Sequence, residues 1–72
     1  MKITFLGKDP ESEVTGSPTL FATDRVDRKT YLAQGWVVTD PEALAALGDI
    51  PPGEAVVEVP MEVLRFAEEW GR

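Results

Sequence analysis

The sequence predicts a small α+β domain in the order β-β-β-α-β-α, with a mostly antiparallel sheet of three or four strands and its helices on one face. Three observations carry the prediction. The run from Thr30 to Asp40 is rich in residues that suit a pleated, half-buried surface. Asp40-Pro41 and Gly48 bracket a short run of strong helix formers. Val63, Phe66, Ala67 and Trp70 recur at the i, i+3, i+4, i+7 spacing of an amphipathic helix.

Each element follows from local sequence. Lys2-Ile3-Thr4-Phe5-Leu6 alternates as a first strand, with Ile3 and Phe5 facing inward and Lys2 and Thr4 outward, and Gly7 ends it. Residues 8–18 hold two prolines, one glycine and a single apolar side chain, Val14, among small polar and acidic residues, which is the composition of a flexible acidic loop. A phosphate cradle needs several glycines opening a helix, whereas Gly16 leads only into Ser17-Pro18 and a strand. That strand is Thr19-Leu20-Phe21-Ala22-Thr23, joined by a hairpin loop over residues 24–29 to the run from Thr30 to Asp40. In the hairpin loop Asp24 and Asp27 interleave with Arg25, Arg28 and Lys29, so the local field largely cancels and the tip reads as solvated surface.

The run from Thr30 to Asp40 is expected to be one central strand. Alternation puts Tyr31, Ala33, Gly35 and Val37 on one face and Leu32, Gln34, Trp36 and Val38 on the other. Neither face is polar, so both should be covered. Gly35 marks a bulge or the close approach of another backbone; packing beside Trp36 and a bound ligand are the two explanations. Asp40 then N-caps a helix that begins at Pro41, carries Glu42 in its first turn, presents Leu44 and Leu47 to the sheet, and stops at Gly48. Pro52-Gly53 suits the centre of a type II turn. Ala55-Val56-Val57-Glu58-Val59 is a fourth strand with Ala55, Val57 and Val59 inward, and Pro60 opens the terminal helix from Met61 to Trp70. On its polar side Glu62–Arg65 and Arg65–Glu69 are available as weak ion pairs.

Composition excludes more than it assigns. The chain has 72 residues, so residues 1–72 form a single domain. It contains no cysteine and no histidine, which removes disulfides, thiolate and imidazole metal sites, Cys-His pairs and Ser-His-Asp triads. Carboxylates are plentiful, yet nothing local places two of them at a catalytic separation. No enzyme activity, metal or cofactor is therefore expected. The amino-terminal apolar run is too short for a signal peptide and no stretch is long enough for a membrane helix, so the expected location is the cytoplasm.

Net charge is −6, and its distribution is uneven. Residues 1–39 carry five acids and five bases; residues 40–72 carry eight acids against Arg65 and Arg72. An acidic carboxyl-terminal half repels phosphate backbones and is suited to a basic protein partner. A solvated pair of helices is the plainer reading of the same charges. Trp36 and Trp70 are either large core residues or interface anchors. The candidate interaction surface is accordingly Tyr31, Trp36, Glu62, Glu68, Glu69 and Trp70.

Five stretches, Phe5-Leu6-Gly7-Lys8-Asp9-Pro10-Glu11-Ser12, Ser17 to Arg25, Thr30 to Trp36, Thr39-Asp40-Pro41-Glu42-Ala43-Leu44 and Val57-Glu58-Val59-Pro60, together resemble a group of short acidic proteins of actinobacteria. Members of that group often lie beside helix-turn-helix regulators. The resemblance spans nearly the whole chain, contains no catalytic motif, and implies an accessory or interaction role. Composition and resemblance lead to the same expectation: a non-enzymatic interaction or regulatory accessory module whose partner is a protein, a basic DNA-binding regulator first and a second copy of the chain next. A small-ligand-binding domain using the surface around Gly35 and Trp36 is the alternative.

Overall fold

A computed structural model describes residues 1–11 and 18–71. Five strands and two helices follow in the order β1 (Ile3–Lys8), β2 (Thr19–Thr23), β3 (Tyr31–Gln34), β4 (Trp36–Val37), α1 (Pro41–Leu47), β5 (Val57–Glu58) and α2 (Met61–Trp70). The chain is a small mixed α+β domain, as expected. Strands β1, β2 and β3 form an antiparallel sheet in that spatial order, and β4 pairs antiparallel with β5 in a separate ribbon.

The run from Thr30 to Asp40 is not one central strand. It divides at Gly35, giving β3 as an edge of the three-stranded sheet and β4 as half of the ribbon; β2 holds the centre. Gly35 itself explains the division. A Cβ placed on it would lie 2.5 Å from the Glu58 carbonyl oxygen and 2.7 Å from Val59 Cγ1. The close backbone approach anticipated at this glycine is thus made by β5, and packing accounts for it. The fourth strand is also shorter than its apolar run, since only Val57 and Glu58 find a partner strand.

One face of the three-stranded sheet is covered by α2. Leu20 and Ala22 are buried there, and Val63 of α2 is fully enclosed. Gly7 permits this docking, because a Cβ at that position would sit 2.7 Å from the Phe66 ring. The register shifts between Phe5 and Gly7, so Leu6 is the extra residue of a β-bulge that turns Gly7 to the helix side opposite Leu20. The expected stripe of α2 is borne out in Val63, Phe66 and Ala67, which face the sheet; Trp70, at the last turn, remains exposed.

Ile3 and Phe5 do not point inward. They share the opposite, uncovered face with Phe21 and Leu32, because directly paired residues lie on one side of a sheet and Phe5, Phe21 and Leu32 are in register. The alternation within the first strand was legible, but the side taken by the helix was not.

Helix α1 has the predicted ends. The Asp40 carboxylate accepts from the Ala43 amide at 2.9 Å, Pro41 opens the helix, and Gly48 closes it at φ 72° with its amide donating to the Leu44 carbonyl. The Pro51–Glu54 turn closes as expected, with Gly53 at φ 86° and the Glu54 amide donating to the Pro51 carbonyl at 3.1 Å. Leu44 and Leu47 were expected to dock on the sheet; both are exposed, because α1 flanks the β4–β5 ribbon. The base of the acidic loop is firmly built: Lys8 pairs with Thr19, Asp9 and Pro18 are buried, and the Asp9 amide donates to the Pro18 carbonyl at 2.8 Å. The interior of the predicted flexible loop, residues 12–17, lies outside the described residues.

Candidate functional site

The sequence-derived surface residues fall in two places. Trp36 lies in β4 opposite Glu58, with its indole about half exposed. Tyr31 is in β3, in register with Ala22 and hence on the helix-covered side of the other sheet. Lys29 Nζ stands 5.9 Å from the Tyr31 ring centroid and also next to Gly71, where a cation is favourable at the carboxyl end of α2. Tyr31 and the Trp70 end of α2 are thus brought to one edge of the molecule, and Trp36 belongs to the separate ribbon.

Glu62, Glu68 and Glu69 lie along α2. The anticipated Glu62–Arg65 and Arg65–Glu69 pairs are absent: Arg65 donates instead to the Met61 sulfur at 3.9 Å. Among the described residues neither Glu62 nor Glu69 comes within 4.0 Å of a cationic group. At the hairpin tip an ion pair does form between Arg25 and Asp27, at 3.8 Å with both side chains solvated, and it adds little to stability.

The geometry presents a feature that sequence reasoning missed. Between α1 and the β4–β5 ribbon runs a groove of about 670 Å³, lined by Val37, Val38, Ala43, Leu47, Val56 and Val57, with Asp40 and Glu58 at its margin. It is an open trough: Val37 is 77% exposed and Leu47 is also exposed. The segment that builds it, residues 36–60, contains Asp40, Glu42, Asp49, Glu54 and Glu58 and no lysine or arginine. An apolar floor that has Asp40 and Glu58 among its lining residues is therefore built by a segment that carries acids and no bases. The signal available in the sequence was the apolar run Ala55-Val56-Val57, of which Val56 and Val57 line the groove.

The second missed feature is the bare sheet face. Ile3, Phe5 and Leu32 are 49%, 60% and 42% exposed, and the Phe5 and Phe21 rings meet edge to face at 6.1 Å between centroids. No group of three or more acidic side chains among the described residues is placed to hold a metal ion, and no helix among them is long and apolar enough to cross a membrane. Comparison with protein-family models, curated proteins and solved structures found no match.

Proposed function

We propose that the chain is a non-enzymatic protein-interaction module, a regulatory accessory of the cytoplasm, which receives an amphipathic basic segment of a protein partner in the groove between α1 and the β4–β5 ribbon. The observation that carries this reading is the pairing of an apolar trough with a segment of five acids and no bases. An amphipathic helix lays its apolar side into such a groove and is read at i, i+3, i+4 and i+7, while flanking lysines and arginines meet the rim. The acids also speed encounter with a basic surface, an effect that salt screens. A basic DNA-binding regulator has both properties.

The small-ligand alternative around Gly35 and Trp36 has less support. The space beside Gly35 is filled by the Glu58 carbonyl and the Val57 and Val59 side chains. The groove nearby offers few convergent polar groups, and the Asp40 carboxylate in it already caps α1.

Isothermal titration with a synthetic amphipathic helix of about 15 residues, leucines on one side and lysines on the other, tests the reading. Saturable binding that weakens as salt rises from about 50 to about 300 mM is expected, together with a loss of roughly tenfold for Val37→Asn. Equal affinity for a peptide with glutamates in place of the lysines, or no change on Val37→Asn, would reject it.

A further inference from the structure

The segment that builds the groove has five acids and no bases, and the hairpin tip between β2 and β3 carries the matching combination, an exposed apolar side chain among bases. Thr23 closes the base of that tip. Its hydroxyl meets the Thr30 hydroxyl at 2.8 Å and accepts from the Arg25 amide at 3.3 Å, and its amide donates to the Thr30 carbonyl at 3.4 Å. Beyond this clasp Val26 is 98% exposed, so it adds nothing to the core of its own chain. The tip holds three bases and two acids, and both acids are engaged locally. Asp24 Oδ1 accepts from the Lys2 amide at 3.1 Å, and Asp27 pairs with Arg25. Among the described residues no carboxylate lies within 4.0 Å of Arg28, two positions from Val26.

Tip and groove stand at opposite ends of β3. That strand starts at Tyr31, just after the tip, and ends at Gln34, one residue before the ribbon begins at Trp36. Its four extended residues hold the two features at least about 10 Å apart, and a contact between Val26 and the groove is therefore one between copies.

We infer that copies of the chain associate head to tail, with Val26 of one seated in the groove of the next among Val37, Leu47 and Val57, and Arg28 directed to Asp40 and Glu58 at the margin. This rests on the reading of the groove as an acceptor for apolar and basic segments, and names a second copy as an occupant. One surface meets a different one, so the contact is heterologous and leaves an open groove at one end of the assembly and a free tip at the other. A hairpin tip in a trough buries less than a standard interface, which makes the association weak, and its opposite charges make it sensitive to salt. A basic partner segment and the tip of a second copy compete for the same groove.

Sedimentation equilibrium of the full chain tests the inference. Between about 10 μM and about 1 mM protein at about 50 mM salt the mean mass should climb above 7.9 kDa, and about 300 mM salt should reverse the rise. Val26→Ser and Val37→Asn, both at exposed positions, should each hold the chain at 7.9 kDa. Mixed together they should give a species of twice 7.9 kDa and nothing larger, because the groove of the Val26→Ser chain still accepts the tip of the Val37→Asn chain. A wild-type chain that remains at 7.9 kDa at about 1 mM overturns the proposal. So does association that Val26→Ser leaves intact, or a mixture of the two variants that stays monomeric. The lysine-leucine helix separates this failure from that of the groove itself. Binding of the helix to a chain that does not associate rejects only the head-to-tail contact, while a helix that neither binds nor disperses the assemblies rejects the groove reading as well.

Discussion

Replacing Gly35 by alanine should open the ribbon while leaving the three-stranded sheet in place. The new methyl would lie 2.5 Å from the Glu58 carbonyl oxygen, 2.7 Å from Val59 Cγ1 and 3.1 Å from Val57 Cγ2. To restore an ordinary C···O separation of about 3.3 Å the carbonyl must retreat by roughly 0.8 Å. That oxygen is backbone and belongs to the residue paired with Trp36, so it cannot move without parting β4 from β5. Overpacking of this kind costs about 1–3 kcal/mol, and each ribbon hydrogen bond given up adds about 1 kcal/mol. The strands pair at only two positions, Trp36 with Glu58 and Val37 with Val57, so local opening is the cheaper response and the loss should settle near 2–3 kcal/mol. In a Trp70→Phe background Trp36 emission should shift to the red, and β4 and β5 amides should exchange faster, with Leu20 and Ala22 still protected. A variant within about 0.5 kcal/mol of wild type, with unchanged exchange at Val37 and Val57, would show that Gly35 does not set the strand break.

Three further outcomes follow from the same geometry. Val63→Ala, at the one fully enclosed apolar side chain of α2, should cost about 2 kcal/mol in denaturant unfolding and so a large share of the roughly 3–5 kcal/mol available to a domain of this size. Asp40→Ala should lose about 1 kcal/mol and reduce helicity over residues 41–47 by amide NMR, while Asp40→Asn keeps the Ala43 cap and stays near wild type. Glu69→Gln should change thermal stability by less than about 0.5 kcal/mol at both low and high salt, since no cation stands within ion-pair distance of it among the described residues.

What was legible in the sequence was whatever a few adjacent residues decide. Asp40-Pro41 and Gly48 mark both ends of α1, Pro52-Gly53 fixes a turn, and the 19–23 strand and 61–70 helix have the boundaries read from their patterns. Decisions that depend on distant partners were not legible. Tyr31 to Gln34 and Trp36-Val37 both favour strand, and only the Glu58 carbonyl against Gly35 shows that they join different sheets. Ile3 and Phe5 alternate correctly with Thr4, yet alternation alone does not say on which side a helix will lie; here α2 takes the side of Leu20 and Ala22. The candidate surface shared this limit. Trp36 and Trp70 are both about half exposed, as interface anchors would be, but the groove beside β4 and the bare face of Phe5, Phe21 and Leu32 exist only once the strands are paired.

The most direct measurement of the central claim is amide chemical-shift mapping of the labelled chain as the lysine-leucine amphipathic helix is added. The account predicts progressive shifts at Val37, Ala43, Leu47 and Val57, the residues that line the groove, with Val63 and Leu20 unmoved. Shifts confined to residues 61–70 of α2, or no shifts at all, would contradict it.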